Sequence, residues 1–125
     1  MAIHEDVGLL GYSPLGFGAL TGKYLNGGLP DGSRLKLFPD FKRHFKPRGI
    51  EATQRYVELA HKHDLDPTVM ALAFVNSRPF LMSNIIGATT LEQLMTNLSS
   101  KDVVLSDEIL TEIDAIHADI PNPAP

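Results

Sequence analysis

The sequence has 125 residues, 43% hydrophobic and 21% charged, which is enough chain for one globular domain with a core. A net charge of -4 argues against a protein built to hold nucleic acid, and the absence of cysteine excludes disulfides, thiolate metal sites and a cysteine nucleophile. No apolar run approaches the roughly 20 residues of a membrane span, and the acidic start MAIHED lacks the basic region of a secretory signal, so a cytoplasmic protein with no membrane partner is expected.

Val7 to Tyr12 is a short apolar run stopped by Ser13-Pro14, and reads as a buried strand. From Gly16 to Arg34 six glycines and Pro30 imply a loop. Lys36 to Arg48 mixes basic and aromatic residues without clear periodicity. Glu51 to Leu65 has helical spacing, with Ala52, Tyr56, Leu59 and Ala60 on one stripe. Asp66-Pro67 then opens a second helix, with a capping carboxylate followed by proline in the first turn. That helix, Pro67 to about Arg78, is apolar nearly all round and is expected to be buried. Asn84 to Ala88 is the second strand candidate. Thr90-Leu91-Glu92-Gln93 fits a capping box and starts a third helix through Asn97. A last helix follows Ser106, with Asp107 and Glu108 as ordinary helix-start charges and Ile109, Leu110, Ile113 and Ile116 facing inward. The proline-rich tail, residues 119–125, is expected to be an extended arm or frayed end.

Two strands separated by helices imply parallel pairing through a crossover, hence an α/β fold. Two strands alone are too few, because parallel sheets are normally covered on both faces and continued on both sides. The chain is therefore expected to be part of a larger sheet, through truncation of a gene product or because a partner supplies the rest. Alone, it is expected to leave both outer strand edges unpaired, to expose much of the Pro67 to Arg78 helix, and to self-associate through those edges.

Two segments carry the chemistry. In Tyr12-Ser13-Pro14-Leu15-Gly16-Phe17-Gly18-Ala19-Leu20-Thr21-Gly22-Lys23-Tyr24 a strand ends, small residues allow close backbone approach, and a lysine follows. This is not the doubly wound dinucleotide fingerprint: Thr21 stands where the third glycine is needed, and no strand with an acidic end comes next. In Ile85-Ile86-Gly87-Ala88-Thr89-Thr90-Leu91-Glu92-Gln93 a strand passes through a glycine turn into a helix N-terminus, a natural anion site. Loops after the last two strands of β/α barrels commonly form such phosphate sites.

Tyr-Ser-Pro-Leu with downstream Thr-Gly-Lys-Tyr, followed by Ile-Gly-Ala-Thr-Thr with Glu-Gln-Leu and Asn, resembles the aldo-keto reductases. The similarity is greatest to the subfamily of bacterial and plant reductases and potassium-channel β-subunits, and it runs from about Val7 to Ala118. The resemblance implies the C-terminal fragment of a TIM (β/α)8 barrel, with strands 7 and 8 and about four helices, in which NADP(H) is held and an aldehyde or ketone is reduced in the intact enzyme. It implies Tyr12 stacked on the nicotinamide, and Ser13, Pro14, Leu15 and Gly16 along the pyrophosphate. Lys23 and Arg34 would lie near the phosphates and adenosine, Gly87 and Thr89 at the 2′-phosphate, and Gln93 and Asn97 at the adenine and its ribose. Thr96 departs from the family, which usually has glutamate there. The family's catalytic tyrosine, lysine, aspartate and histidine belong to early strands, so no catalytic residue is assigned and the chain is expected to be inactive alone. The alternative is a non-catalytic module that binds a nucleotide or a protein.

Other features read as structural. Phe41-Lys42-Arg43-His44-Phe45-Lys46-Pro47-Arg48 suggests a mobile loop whose phenylalanines cover the barrel mouth or substrate pocket. His61 and His63 sit roughly 200° apart around a helix and do not face each other, so no metal site is assigned.

Overall fold

The computed structural model describes residues 4, 5 and 7–124; the first three residues, Asp6 and Pro125, which entered the readings of the leader and the tail, lie outside the described residues. Two strands, β1 (Leu9–Tyr12) and β2 (Leu81–Ile85), pair in parallel, with Tyr12 opposite Ile85. Five α-helices accompany them among the described residues: α1 (Arg34–Leu37), α2 (Pro47–Lys62), α3 (Pro67–Asn76), α4 (Leu91–Ser99) and α5 (Asp107–Asp119).

Local chemistry accounts for most boundaries. The Asp66 carboxylate accepts from the Thr68 and Val69 N–H groups at 2.7 and 3.2 Å, and Pro67 occupies the first turn, so α3 starts where expected. Thr90 and Ser106 cap α4 and α5 in the same way through Gln93 N and Ile109 N. Helix α2 begins at Pro47, four residues earlier than periodicity indicates, because Lys46 is extended and proline is pre-set for the first helical turn. The expected loop from Gly16 to Arg34 contains 3₁₀ turns at Gly16–Thr21 and Leu25–Gly27, and the aperiodic stretch after it contains α1 and a further 3₁₀ turn at Arg43–Phe45.

The second strand differs from the expected Asn84 to Ala88. It ends at Ile85 because its only described partner ends at Tyr12: Ser13 turns to φ 54°, and Ile86 and Gly87 have nothing left to pair with. Neither strand is buried. Leu10 is 54% exposed, Tyr12 79% and Met82 72%, since the described sheet has two strands only and lacks the neighbours that bury parallel strands elsewhere.

The core lies in the helical layer. Leu59 and Ala60 of α2, Met70 and Ala73 of α3, Leu105, and Ile109, Ile113 and Ile116 of α5 form one buried cluster, with Leu110 packed partly against it. The apolar α3 is buried as its composition implies, and the expectation that the chain alone would leave much of its face exposed is not met. It touches α2, α4, β2 and the Gly16–Thr21 turn, and Pro67, Val69, Met70, Leu72 and Ala73 are buried. The tail is also more ordered in its contacts than a frayed end: Ile120 is buried, Pro123 and Ala124 are half-buried, and Arg43 Nε donates to the Ala124 carbonyl at 2.9 Å. Among the described residues no helix is long and apolar enough to cross a membrane.

Candidate functional site

Parallel pairing brings the two informative segments to one place. Because Tyr12 sits opposite Ile85 at the ends of strands running the same way, the Ser13–Gly16 turn and the Gly87–Thr89 corner leave the same edge of the sheet. The first turn is closed by a bond from Gly16 N to Ser13 O at 2.9 Å, and Ser13, Gly16, Phe17 and Gly18 all take positive φ. For Ser13 and Phe17 this is a strained conformation of the kind that collects at ligand sites. The phenol ring of Tyr12 projects into the open at the strand end.

The second corner is organised from α4. The Gln93 side-chain oxygen accepts from both Thr89 N (3.0 Å) and Thr89 Oγ1 (3.1 Å), while Gln93 N donates to Thr90 Oγ1. Asn97 is 4% exposed and its amide donates to the Gly87 carbonyl at 3.2 Å, so it holds the glycine turn from below. A chain of polar groups continues from there toward β2: Asn97 O accepts from Ser100 Oγ at 2.6 Å, Asn76 Nδ2 lies 3.5 Å from that Oγ, and Asn84 Nδ2 donates to Asn76 Oδ1 at 3.0 Å. The corner after β2 is thereby tied to β2 itself through α3 and α4. Among the described residues nothing beyond its chain neighbours lies within 4 Å of the position a Gly87 side chain would take. The turn is open to a ligand.

The two basic residues lie along the first loop. Lys23 crosses back over Gly18, its Nζ 3.2 Å from where a Cβ there would sit and 5.2 Å from the Tyr24 ring. Arg34 stands over Phe17 at 5.2 Å and Phe41 at 6.0 Å, and Phe17 meets Phe41 edge-on. The phenylalanines of the expected covering loop therefore divide. Phe41, with Phe38 from before the loop against it, joins Phe17 and Arg34, whereas Phe45 turns inward to stack edge-on against Tyr24.

Sequence reasoning did not single out His44, Asn76 or Ser100 as parts of this site. The His44 ring lies 3.6 Å from the position of a Gly16 side chain and tilts against Phe17, so it backs the first turn. Burial, and then the neighbouring Arg43 charge, hold the His44 imidazole below its usual pKa. Ser100 joins the site through a local bond to the Asn97 carbonyl, and Asn76 reaches it through a tertiary hydrogen bond to Ser100, which leaves no periodic mark in the sequence. The three tyrosines have separate settings: Tyr12 at the strand end, Tyr24 with its hydroxyl accepting from Leu35 N at 3.3 Å, and Tyr56 on α2, where burial first and then Asp114 push the phenol upward against the pull of Arg55.

Residues 1–118 match the Aldo/keto reductase family. The chain belongs to that family. It is 50% identical over 122 residues to Protein tas of Escherichia coli, covering 98% of this chain and 35% of that protein. It is 34% identical over 112 residues to a putative voltage-gated potassium channel subunit beta of Schizosaccharomyces pombe, covering 84% and 32%. The glycerol dehydrogenase of Gluconobacter oxydans superposes with a TM-score of 0.70 at 24% identity, over 99% of this chain and 38% of that one. This aldo-keto reductase chain thus spans about a third of the length of the relatives it matches, and its two parallel strands with their helices are a fragment of the family's β/α barrel.

Proposed function

We propose that the chain is the cofactor-gripping C-terminal part of an NADP-dependent aldo-keto reductase, with β1 and β2 as the seventh and eighth strands of the barrel. The observation that carries the reading is the register: Tyr12 opposite Ile85 sets both ligand-shaped turns on one edge, with the C-terminal ends of both strands facing the same way. Active sites of β/α barrels are built at that end.

The residues present fit the cofactor. Tyr12 offers an exposed ring for the nicotinamide. Ser13, Pro14, Leu15 and Gly16 offer a tight backbone turn for the pyrophosphate, and Lys23, already lying across Gly18, supplies a cation beside it. Gly87 is open, and Thr89 stands just before the N-terminus of α4, where helix N–H groups and the dipole favour a phosphate. Arg34 adds a second cation, and its exposed stacking on Phe17 and Phe41 leaves the guanidinium edge free to face an anion. Gln93 orients Thr89, and Asn97 acts on the adenosine end by fixing the Gly87 carbonyl. Two cations with a hydroxyl, and no acid aimed at a ribose 2′-OH, favour NADP(H) over NAD(H).

When bound, NADPH supplies the hydride that reduces an aldehyde or ketone. This chain's residues bind and orient; the proton donor comes from elsewhere in the intact barrel, since each tyrosine here is in the cofactor turn, committed to Leu35 or half-buried on a helix. The isolated chain is therefore inactive. Fluorescence titration with NADPH and NADH tests the reading. Weak binding that favours NADPH and disappears in a Lys23→Ala, Arg34→Ala double variant supports it. Affinity unchanged in that variant refutes the assigned contacts, and turnover of an aldehyde panel by the chain alone refutes its inactivity.

A further inference from the structure

The cofactor reading leaves unused the junction where the end of α2 meets the start of α5, and three side chains with metal-ligand chemistry converge there. His63 directly follows α2, and its backbone N–H is bonded to the Leu59 and Ala60 carbonyls at 3.3 and 3.1 Å, so the ring is carried on fixed backbone. Glu108 and Glu112 lie four apart in α5, which puts both carboxylates on one helical face. One ligand atom from each of His63, Glu108 and Glu112 falls within 4.8 Å of the other two, and His63 Nε2 is 2.9 Å from Glu112 Oε1.

We propose that His63, Glu108 and Glu112 form a binding site for a zinc-type divalent cation that links α2 to α5. One imidazole with two carboxylates suits zinc, cobalt(II) or nickel(II); magnesium and calcium call for six or more oxygens. Zinc bonds of about 2.0–2.2 Å set tetrahedral ligands about 3.3 Å apart. The His63–Glu112 pair, now in direct contact at 2.9 Å, has to open by only about 0.4 Å to take a cation between its atoms, and exposed Glu108 closes the remaining distance by a change of rotamer. Lys62 Nζ holds the other Glu112 oxygen at 2.7 Å, which leaves Oε1 as a single-atom donor and fixes its direction. The ammonium also offsets one of the two carboxylate charges, so the site is weaker than a four-ligand structural centre, and a solvent water completes it. Beneath the three ligands Leu59, Ile109 and Ile113 are buried in the shared core, which keeps the two helices in fixed relation. His61 is exposed two residues away and takes no part.

The test is titration of the metal-free full chain with cobalt(II) near neutral pH, followed by its visible absorption, with zinc as competitor. A single saturable equivalent displaced by zinc and not by excess magnesium is the expected result. His63→Gln and Glu108→Gln should each weaken binding by at least about tenfold, since loss of even an outer-shell partner costs that much; His61→Gln and His117→Gln should change nothing. Glu108 is exposed, so its variant keeps the fold, which far-UV circular dichroism checks independently of His63→Gln. The proposal is overturned if no saturable binding is seen, if magnesium displaces cobalt, if Glu108→Gln and His63→Gln bind as the parent does, or if His61→Gln abolishes binding.

Discussion

Replacing Gly49 by alanine sets two effects against each other at one atom. Gly49 lies in the first turn of α2, where alanine gains up to about 1 kcal/mol of intrinsic helix preference. A Cβ there, however, would sit 2.5 Å from the His44 carbonyl oxygen, 3.1 Å from its carbon and 3.5 Å from the Pro123 oxygen. All three are backbone atoms, so no side chain can rotate away; the Arg43–Phe45 turn must move by several tenths of an ångström or more. Overpacking of this kind costs about 1–3 kcal/mol, and the loss of the Arg43 to Ala124 contact adds to it. The clash wins, and Gly49→Ala should lower stability by about 1–2 kcal/mol. Because His44 backs Gly16, the same shift should also weaken cofactor binding at the first turn. Urea unfolding followed by circular dichroism measures the first effect. A midpoint equal to or above the parent's would show that α2 and the Arg43–Phe45 turn are not packed as described.

Further outcomes follow from single contacts. Asp66→Ala removes the acceptor for Thr68 N and Val69 N and should cost about 1 kcal/mol in urea unfolding; no change would mean that Pro67 alone starts α3. His44 has a folded pKa below the ordinary 6.5, so the unfolded chain binds more protons in the window beneath that value. Stability from this group is therefore full above pH 6.5 and falls as pH drops through the window toward the folded pKa; the parent should lose more stability on acidification than His44→Gln, and parallel profiles would contradict the burial of the ring. Met82 is 72% exposed on a strand whose outer edge has no described partner, so the chain is expected to self-associate there and Met82→Lys to shift sedimentation velocity toward the monomer; a parent that is already monomeric, or an unaltered distribution in the variant, would contradict this.

The features legible in the sequence were those written locally. Asp66-Pro67, Thr90 with Gln93, and Ser106 each declare a helix start through a cap that needs only neighbouring residues, and all three are in place. The parallel pairing followed from the order of elements, and the family from two motifs at the right separation. The ends of β2 were not legible, because a strand's length is set by its partner and β1 stops at Tyr12. Strand burial was misjudged for a related reason: apolar runs report what a chain is made to bury, and the described residues bring just two strands together. The coverage of α3 by the Gly16–Thr21 turn, the Asn76–Ser100 link and the meeting of His63 with Glu108 and Glu112 all join residues far apart in sequence. Two histidines judged on one helix could not reveal carboxylates supplied by another.

Backbone amide spectra of the isotopically labelled chain during NADPH titration test most directly whether the two strand-end turns act together on one ligand. Amides of Leu15, Gly16, Gly87 and Thr89 should shift along one shared binding curve, and Gly87→Ala, which meets no atom within 4 Å, should weaken that curve while leaving the unfolding midpoint essentially in place. Shifts confined to one turn, or centred on residues away from both, would contradict it.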